Sequence, residues 1–176
     1  MNLNSYKYIY FLGIGGIGMS GLARYFNSRG KQIFGYDKHK SDLCQKLEEE
    51  GMQIIYADKE KYLPNLIVDA KKNQLLVIYT PAISQDSILL NFFLLKKINI
   101  YKRAEILGLI SKDVYTIAIA GTHGKTTTST MLAHILQYNK RGIMAFLGGI
   151  SLNYNTNFLV SENVDLMIVE ADEFDK

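Results

Sequence analysis

Residues Thr116 to Ser129 read TIAIAGTHGKTTTS. An apolar, β-branched run (Ile117, Ala118, Ile119) meets Gly121 and Gly124, then Lys125 and a block of hydroxyl residues. Helical spacing follows at Met131, Leu132, Ile135 and Leu136. The pattern predicts strand, glycine turn, helix. A phosphate chain needs backbone N–H groups converging on its oxygens, which a turn free of side chains permits, and it gains from the positive end of the helix. Lys125 would place a point charge on the terminal phosphates, and the Thr126 hydroxyl would ligate Mg²⁺. Gly121, Gly124, Lys125 and Thr126 are therefore the expected phosphate-binding residues, with His123 inside the glycine loop a further functional candidate or a residue that only shapes the turn. The general phosphate-loop pattern asks for a glycine five residues before the second one, where this chain has Ile119. A tight strand-to-helix turn with an exposed lysine is the competing reading. Downstream, the strand Asp165 to Val169 runs into Glu170. An apolar strand ending in a carboxylate is how phosphate-loop folds complete a Mg²⁺ site. Lys125 and Glu170 are the expected catalytic residues, with Thr126 and Glu170 on the metal. The acids that follow, Asp172, Glu173 and Asp175, read as solvent-facing.

A second glycine cluster lies near the N-terminus. Tyr8 to Leu12 form a compact apolar strand, and Gly13-x-Gly15-x-x-Gly18 opens a helix burying Met19, Leu22, Ala23 and Phe26. A second strand, Gln32 to Tyr36, ends at Asp37, 19 residues beyond Gly18 (37 minus 18). A dinucleotide-type βαβ unit places a ribose-binding acid at about that distance. These residues favour a nucleotide-diphosphate site over a packing turn, and a nicotinamide-dependent oxidoreductase remains open on them. Strand Leu75 to Tyr79 ends at Thr80, Pro81 and Ala82, a candidate second wall, since ligands of open parallel sheets sit beyond the carboxyl ends of the strands. The competing reading is that Pro81 merely stops the strand.

These loops need a scaffold. The chain has 176 residues, 48% hydrophobic, with a formal charge of +3 and no basic block. That suits a globular α/β protein and gives no argument for nucleic acid. Ile9 to Ala23 is too short for a membrane span and lacks a basic flank and cleavage site, so no membrane insertion is expected. The lone Cys44 excludes an internal disulfide, suits a reducing cytoplasm and reads as incidental. Ser41 to Glu50 reads as a helix with Leu43 and Leu47 inward, Gly51 as its C-terminal cap and Glu48 to Glu50 as a solvated face. Gln53 to Tyr56 and Asn99 to Lys102 read as strands. The helix Ser87 to Lys97 is apolar on nearly every side, which suggests burial or a partner surface. Arg103 to Ser111 is a short helix near the boundary, with Arg103 as a phosphate ligand, a link between the domains or a surface residue. Beyond it the reading gives three strands, with Ile143 to Leu147 ending in Gly148 and Gly149, Asn153 to Asn157 a polar loop, and His134 a packing or surface histidine. The expected division is 1–110, a Rossmann-like nucleotide-diphosphate domain, and 112–176, an incomplete phosphate-loop domain.

Together the stretches FLGIGGIGMSGLARYF (11–26), GYD (35–37), YTPAI (79–83), KRAEILGLI (102–110), AGTHGKTTTSTMLAHIL (120–136), FLGGIS (146–151) and VEADEFD (169–175) resemble the Mur ligase family. They occur in the family's order across nearly the whole chain, and the family's shorter GTxGKT loop accounts for Ile119. The resemblance implies ATP-dependent joining of an amino acid to a UDP-sugar carboxylate in peptidoglycan synthesis. Within the family, GIGGIGMSG points to the member that adds L-alanine to UDP-N-acetylmuramate, with a muropeptide-recycling ligase as the near alternative. It implies that Gly15, Gly16, Ile17, Gly18, Met19 and Ser20 lie along the diphosphate, Asp37 near the ribose or uracil, and Thr80, Pro81 and Ala82 opposite. It also implies ATP and Mg²⁺ at the second loop, a cytoplasmic location, and a longer family protein in which a further domain receives the amino acid.

Overall fold

The computed structural model describes residues 2–171. The chain divides into two compact units between Arg103 and Ala104. The helix Arg103–Ser111 thus begins where the units divide, at the boundary where the sequence puts it.

In the first unit five strands form one sheet, β1 (Tyr8–Leu12), β2 (Gln32–Tyr36), β3 (Gln53–Ile55), β4 (Leu75–Tyr79) and β5 (Asn99–Lys102). Their order is β3-β2-β1-β4-β5, and every pairing is parallel. The chain builds outward from β1 through β2 to β3, then returns to the other side of β1 for β4. Strand direction of growth therefore reverses between β1 and β4, the place where such sheets open a ligand crevice. All five residues of β1 are buried, as expected of a central strand covered on both faces. Tyr8, Tyr10, Leu12, Phe34, Val77 and Phe93 share one core cluster. The helix α1 (Ile17–Ser28) buries Met19, Leu22, Ala23 and Phe26 as its apolar spacing predicts.

Two readings of α2 (Asp42–Glu49) are corrected. Its inward residues are Cys44 and Leu47, with Leu43 only half-buried. The small thiol of Cys44 faces inward because it sits beneath the glycine loop, where a bulkier side chain would collide with Gly15. Glu50 is not part of a purely solvated face. It accepts from Nε and Nη2 of Arg24 at 2.9 and 2.7 Å, and Arg24 is only 7% exposed. The pair ties α1 to the end of α2, and Gly51 at φ +90° turns the chain out of the helix. The short α3 (Asn65–Val68) precedes β4. The helix α4 (Ile88–Leu95) buries Leu89, Leu90 and Phe93 and exposes Leu94 and Leu95, so it is covered on one side only.

The second unit takes up α5 (Arg103–Ser111) from Ala104 onward and carries β6 (Tyr115–Ile119), α6 (Lys125–Tyr138), β7 (Ile143–Ser151), β8 (Thr156–Val160) and β9 (Leu166–Glu170). The sheet order is β6-β9-β7-β8, with β9 parallel to both neighbours and β8 antiparallel to β7. The described residues thus contain four strands here, not three. The sequence placed Asn157 in a polar loop, yet it is fully buried in β8, and the turn lies before it with Asn155 at φ +52°. Strand β7 also runs on through Gly148 and Gly149, with a register shift against β8 between Phe146 and Ser151. Glycines inside a strand mark a bulge or a close approach by another group, and both occur here. Among the described residues no helix is long and apolar enough to cross a membrane.

Removing Glu50 leaves the enclosed Arg24 guanidinium without its carboxylate. Glu50→Ala should destabilise the first unit by about 2 kcal/mol, whereas Glu49→Ala should change stability by less than about 0.5 kcal/mol. Urea unfolding of the two variants checks this, and equal midpoints would contradict it.

Candidate functional site

In the first unit the glycine loop closes on itself before α1 begins. Gly13, at φ +85°, and Ile14 both donate their amides to the Tyr36 carbonyl at 2.8 and 3.1 Å, fixing the loop to the end of β2. The Asp37 carboxylate turns inward. Its Oδ2 accepts from the Gly15 amide at 2.8 Å and its Oδ1 from the His39 amide at 3.1 Å. A Cβ on Gly15 would stand 2.6 Å from Cys44 Sγ and 2.9 Å from Asp37 Oδ2, so this position needs glycine for space. A Cβ on Gly18 would meet the Arg103 guanidinium at 2.6 Å. That puts a cation over the first turn of α1, whose leading amides have no intrahelical acceptor.

The structure sorts the residues 15–20. Gly15 donates to Asp37, Gly16 to the Gly13 carbonyl at 3.2 Å and Ser20 to the Gly16 carbonyl at 2.8 Å. Met19 and Ser20 turn their side chains into the core, and the Ser20 hydroxyl donates to the Ile17 carbonyl. What the loop exposes is Gly16 and Ile17, with Gly18 half-buried beside them. Facing it is a cleft of about 420 Å³, lined by Gly13, Gly16, Tyr36, Asp37, Thr80 and Ala82 among others. Thr80 and Ala82 do form the opposite wall, while Pro81 lies exposed between them without lining the cleft.

Asp58, which no motif in the sequence singles out, also lines the cleft. Its carboxylate accepts from the Ser87 hydroxyl and from the amides of Ile88 and Leu89 at 2.9–3.1 Å, capping α4 from 30 residues away. No local pattern announces a cap supplied at that distance. Tyr36 has its phenol pKa raised, by burial first and then by the nearby carboxylates of Asp58 and Asp37, so it stays a neutral donor.

In the second unit the chain leaves β6, passes Gly121 (φ +143°) and Gly124 (φ +78°), and enters α6 at Lys125. Both dihedrals favour glycine. A Cβ on Gly124 would meet nothing within 4 Å and one on Gly121 only the His123 carbonyl at 3.6 Å, so the outer side of the loop is open. Gly121, Thr122, His123, Gly124, Thr126 and Thr127 are exposed, and the Lys125 ammonium donates to the Gly121 carbonyl. Glu170, at the end of the neighbouring β9, reaches the same helix start. Its Oε2 accepts from Thr126 Oγ1 at 3.1 Å, and its Oε1 accepts from Ser129 Oγ and the Gly148 amide, each at 2.7 Å. A hydroxyl and a carboxylate oxygen side by side are hard donors that suit Mg²⁺, which takes few protein ligands and fills its octahedron with water and phosphate oxygens. Thr126 and Glu170 fit that ion. The acids Asp172, Glu173 and Asp175 lie outside the described residues.

The family model described as Mur ligase family, catalytic domain, matches residues 8–115, and that described as Mur ligase middle domain matches 119–175. A UDP-N-acetylmuramate--L-alanine ligase of Cytophaga hutchinsonii is 49% identical over 100% of this chain, and one of Phocaeicola vulgatus is 47% identical. The chain spans only 38% of the length of each. The crystal structure of a UDP-N-acetylmuramate-alanine ligase from Thermotoga maritima superposes with a TM-score of 0.82 at 29% identity, covering 94% of this chain and 37% of that one. With one family model covering residues 8–115 and a second the loop, helix and strands beyond, the chain belongs to the Mur ligase family.

Proposed function

We propose that the protein carrying this chain joins L-alanine to the carboxylate of UDP-N-acetylmuramate at the expense of ATP, a cytoplasmic step of peptidoglycan synthesis. The observation that carries the reading is two glycine-lined helix starts in one chain with different equipment. The first faces a cleft of about 420 Å³ lined by Tyr36, Asp37, Lys38 and Asp58 and has the Arg103 guanidinium beside Gly18, but has no lysine in its turn. The second has Lys125 in its turn and the Thr126–Glu170 pair beside it. The first suits a sugar nucleotide, the second a triphosphate. The names of the relatives at 47–49% identity support the choice of substrates.

The chemistry follows from the substrate. A carboxylate resists amine attack because it is anionic and would have to expel oxide. Transfer of the γ-phosphoryl to its oxygen gives an acyl phosphate, and the neutral amine then displaces phosphate through a tetrahedral intermediate. Lys125 would move from the Gly121 carbonyl onto the transferring phosphoryl, and the amides of Gly121 to Thr127 would hold the remaining phosphates. Thr126 Oγ1 and Glu170 Oε2 would hold Mg²⁺, which when bound neutralises charge on the phosphates. In the first unit the outward amides of α1 and the Arg103 guanidinium would take the diphosphate. Asp37, whose oxygens already brace the loop, would meet the ribose or uracil with its remaining acceptor capacity.

The test is ADP release by the protein at its full natural length, with UDP-N-acetylmuramate and either L-alanine or an L-alanine-containing tripeptide. Dependence on L-alanine is expected, and turnover only with the tripeptide would assign a muropeptide-recycling ligase instead. Lys125→Ala should cost on the order of 3 kcal/mol of barrier, roughly a hundredfold or more in kcat, and leave UDP-sugar binding nearly intact. Equal ligation rates for variant and parent would refute it. Arg103→Ala should weaken UDP binding about tenfold with the KM for ATP unchanged, since a charge-assisted contact to phosphate is lost only in the first unit. Calorimetry with UDP reads this, and an unchanged dissociation constant would remove Arg103 from the site.

A further inference from the structure

We infer that Ser129 and Gly148 are the positioning pair for Glu170, setting which carboxylate oxygen faces the metal. Three contacts carry this. Among the described residues Glu170 Oε1 accepts two hydrogen bonds at 2.7 Å, from Ser129 Oγ and from the Gly148 amide, and Oε2 accepts one, from Thr126 at 3.1 Å. A carboxylate oxygen has about two acceptor sites, so Oε1 is filled and Oε2 keeps capacity on the side of the Thr126 hydroxyl. Ser129 is fully buried and lies one helical turn after Thr126, so both hydroxyls rise from the same face of α6. Its oxygen also lies 3.1 Å from the Thr126 carbonyl, but a hydroxyl has one proton, and the shorter bond to a charged acceptor is the stronger.

Gly148 acts by what it lacks as well as by its N–H. A Cβ there would lie 2.3 Å from Glu170 Oε2 and 2.8 Å from Cδ, so any side chain at 148 must push the carboxylate away. This explains a glycine in the interior of β7, where one normally weakens a strand. Carboxylates that hold a metal are themselves held by hydrogen bonds, and loss of such an outer partner typically costs tenfold or more in metal affinity.

The inference rests on the proposed role of Glu170, and the experiment separates the two. ATP affinity is measured by calorimetry on the full-length protein, once with excess EDTA and once with Mg²⁺, and the ratio is the metal-linked gain. Glu170→Ala should abolish the gain. Ser129→Ala should reduce it about tenfold while metal-free ATP affinity stays at the parent value, and Ser129→Thr, which keeps the hydroxyl, should restore it. Gly148→Ala should reduce it likewise, and should that variant fail to fold, the two Ser129 variants decide. A normal gain in Ser129→Ala beside a lost one in Glu170→Ala overturns the positioning role and leaves the metal site standing. An equal loss of metal-free ATP affinity in Ser129→Ala overturns it too, by showing a merely structural serine. A normal gain in Glu170→Ala overturns the reading of Glu170 itself.

Discussion

An anion can be held by a protein backbone only where several amides point one way and no side chain stands between them and the ligand. Each unit meets this requirement at the same topological place, the turn from a parallel strand into the first turn of a helix. The strand fixes where the turn begins, and the helix supplies amides that have no carbonyl of their own. What differs is how each turn is held in shape. In the first unit an aspartate from the next strand braces it, with both carboxylate oxygens on loop or neighbouring amides. In the second, two glycines at positive φ shape the turn, and the carboxylate of Glu170 is held beside the helix it opens.

That difference changes the meaning of Asp37. Its spacing from the third glycine matches a ribose-binding acid, and the structure gives it a second task, keeping Gly15 and the loop against β2. Cys44 shares in this. It occupies the small space beneath Gly15, so the thiol is a packing residue of the loop and not a stray. Likewise Gly148 and Gly149, which looked like the end of a strand, are interior residues that let the carboxylate and Thr126 come close.

Much of this was legible in the chain. Strands β1, β2, β4 and β5 fall where apolar runs bounded by turn residues put them, and both glycine turns open helices as their spacing demands. The parts that were not legible depend on partners far apart in sequence. Glu50 reads as one of three solvated acids until Arg24 is seen enclosed beside it. Asp58 caps a helix that begins 30 residues later. Strand β8 was hidden because Asn157, a polar residue, is buried next to a turn rich in asparagine. Ser129 is one hydroxyl among several in sequence, and only β9 lying beside α6 singles it out.

The central claim is a division of labour, with the sugar nucleotide at the first glycine turn and the triphosphate at the second. It is tested most directly by following backbone amide resonances of the labelled full-length protein while each ligand is added alone. UDP-N-acetylmuramate should shift the amides of residues 13–20 and leave 121–127 unmoved, and ATP with Mg²⁺ should do the reverse. Both ligands moving the same turn, or either one moving neither, would contradict the account.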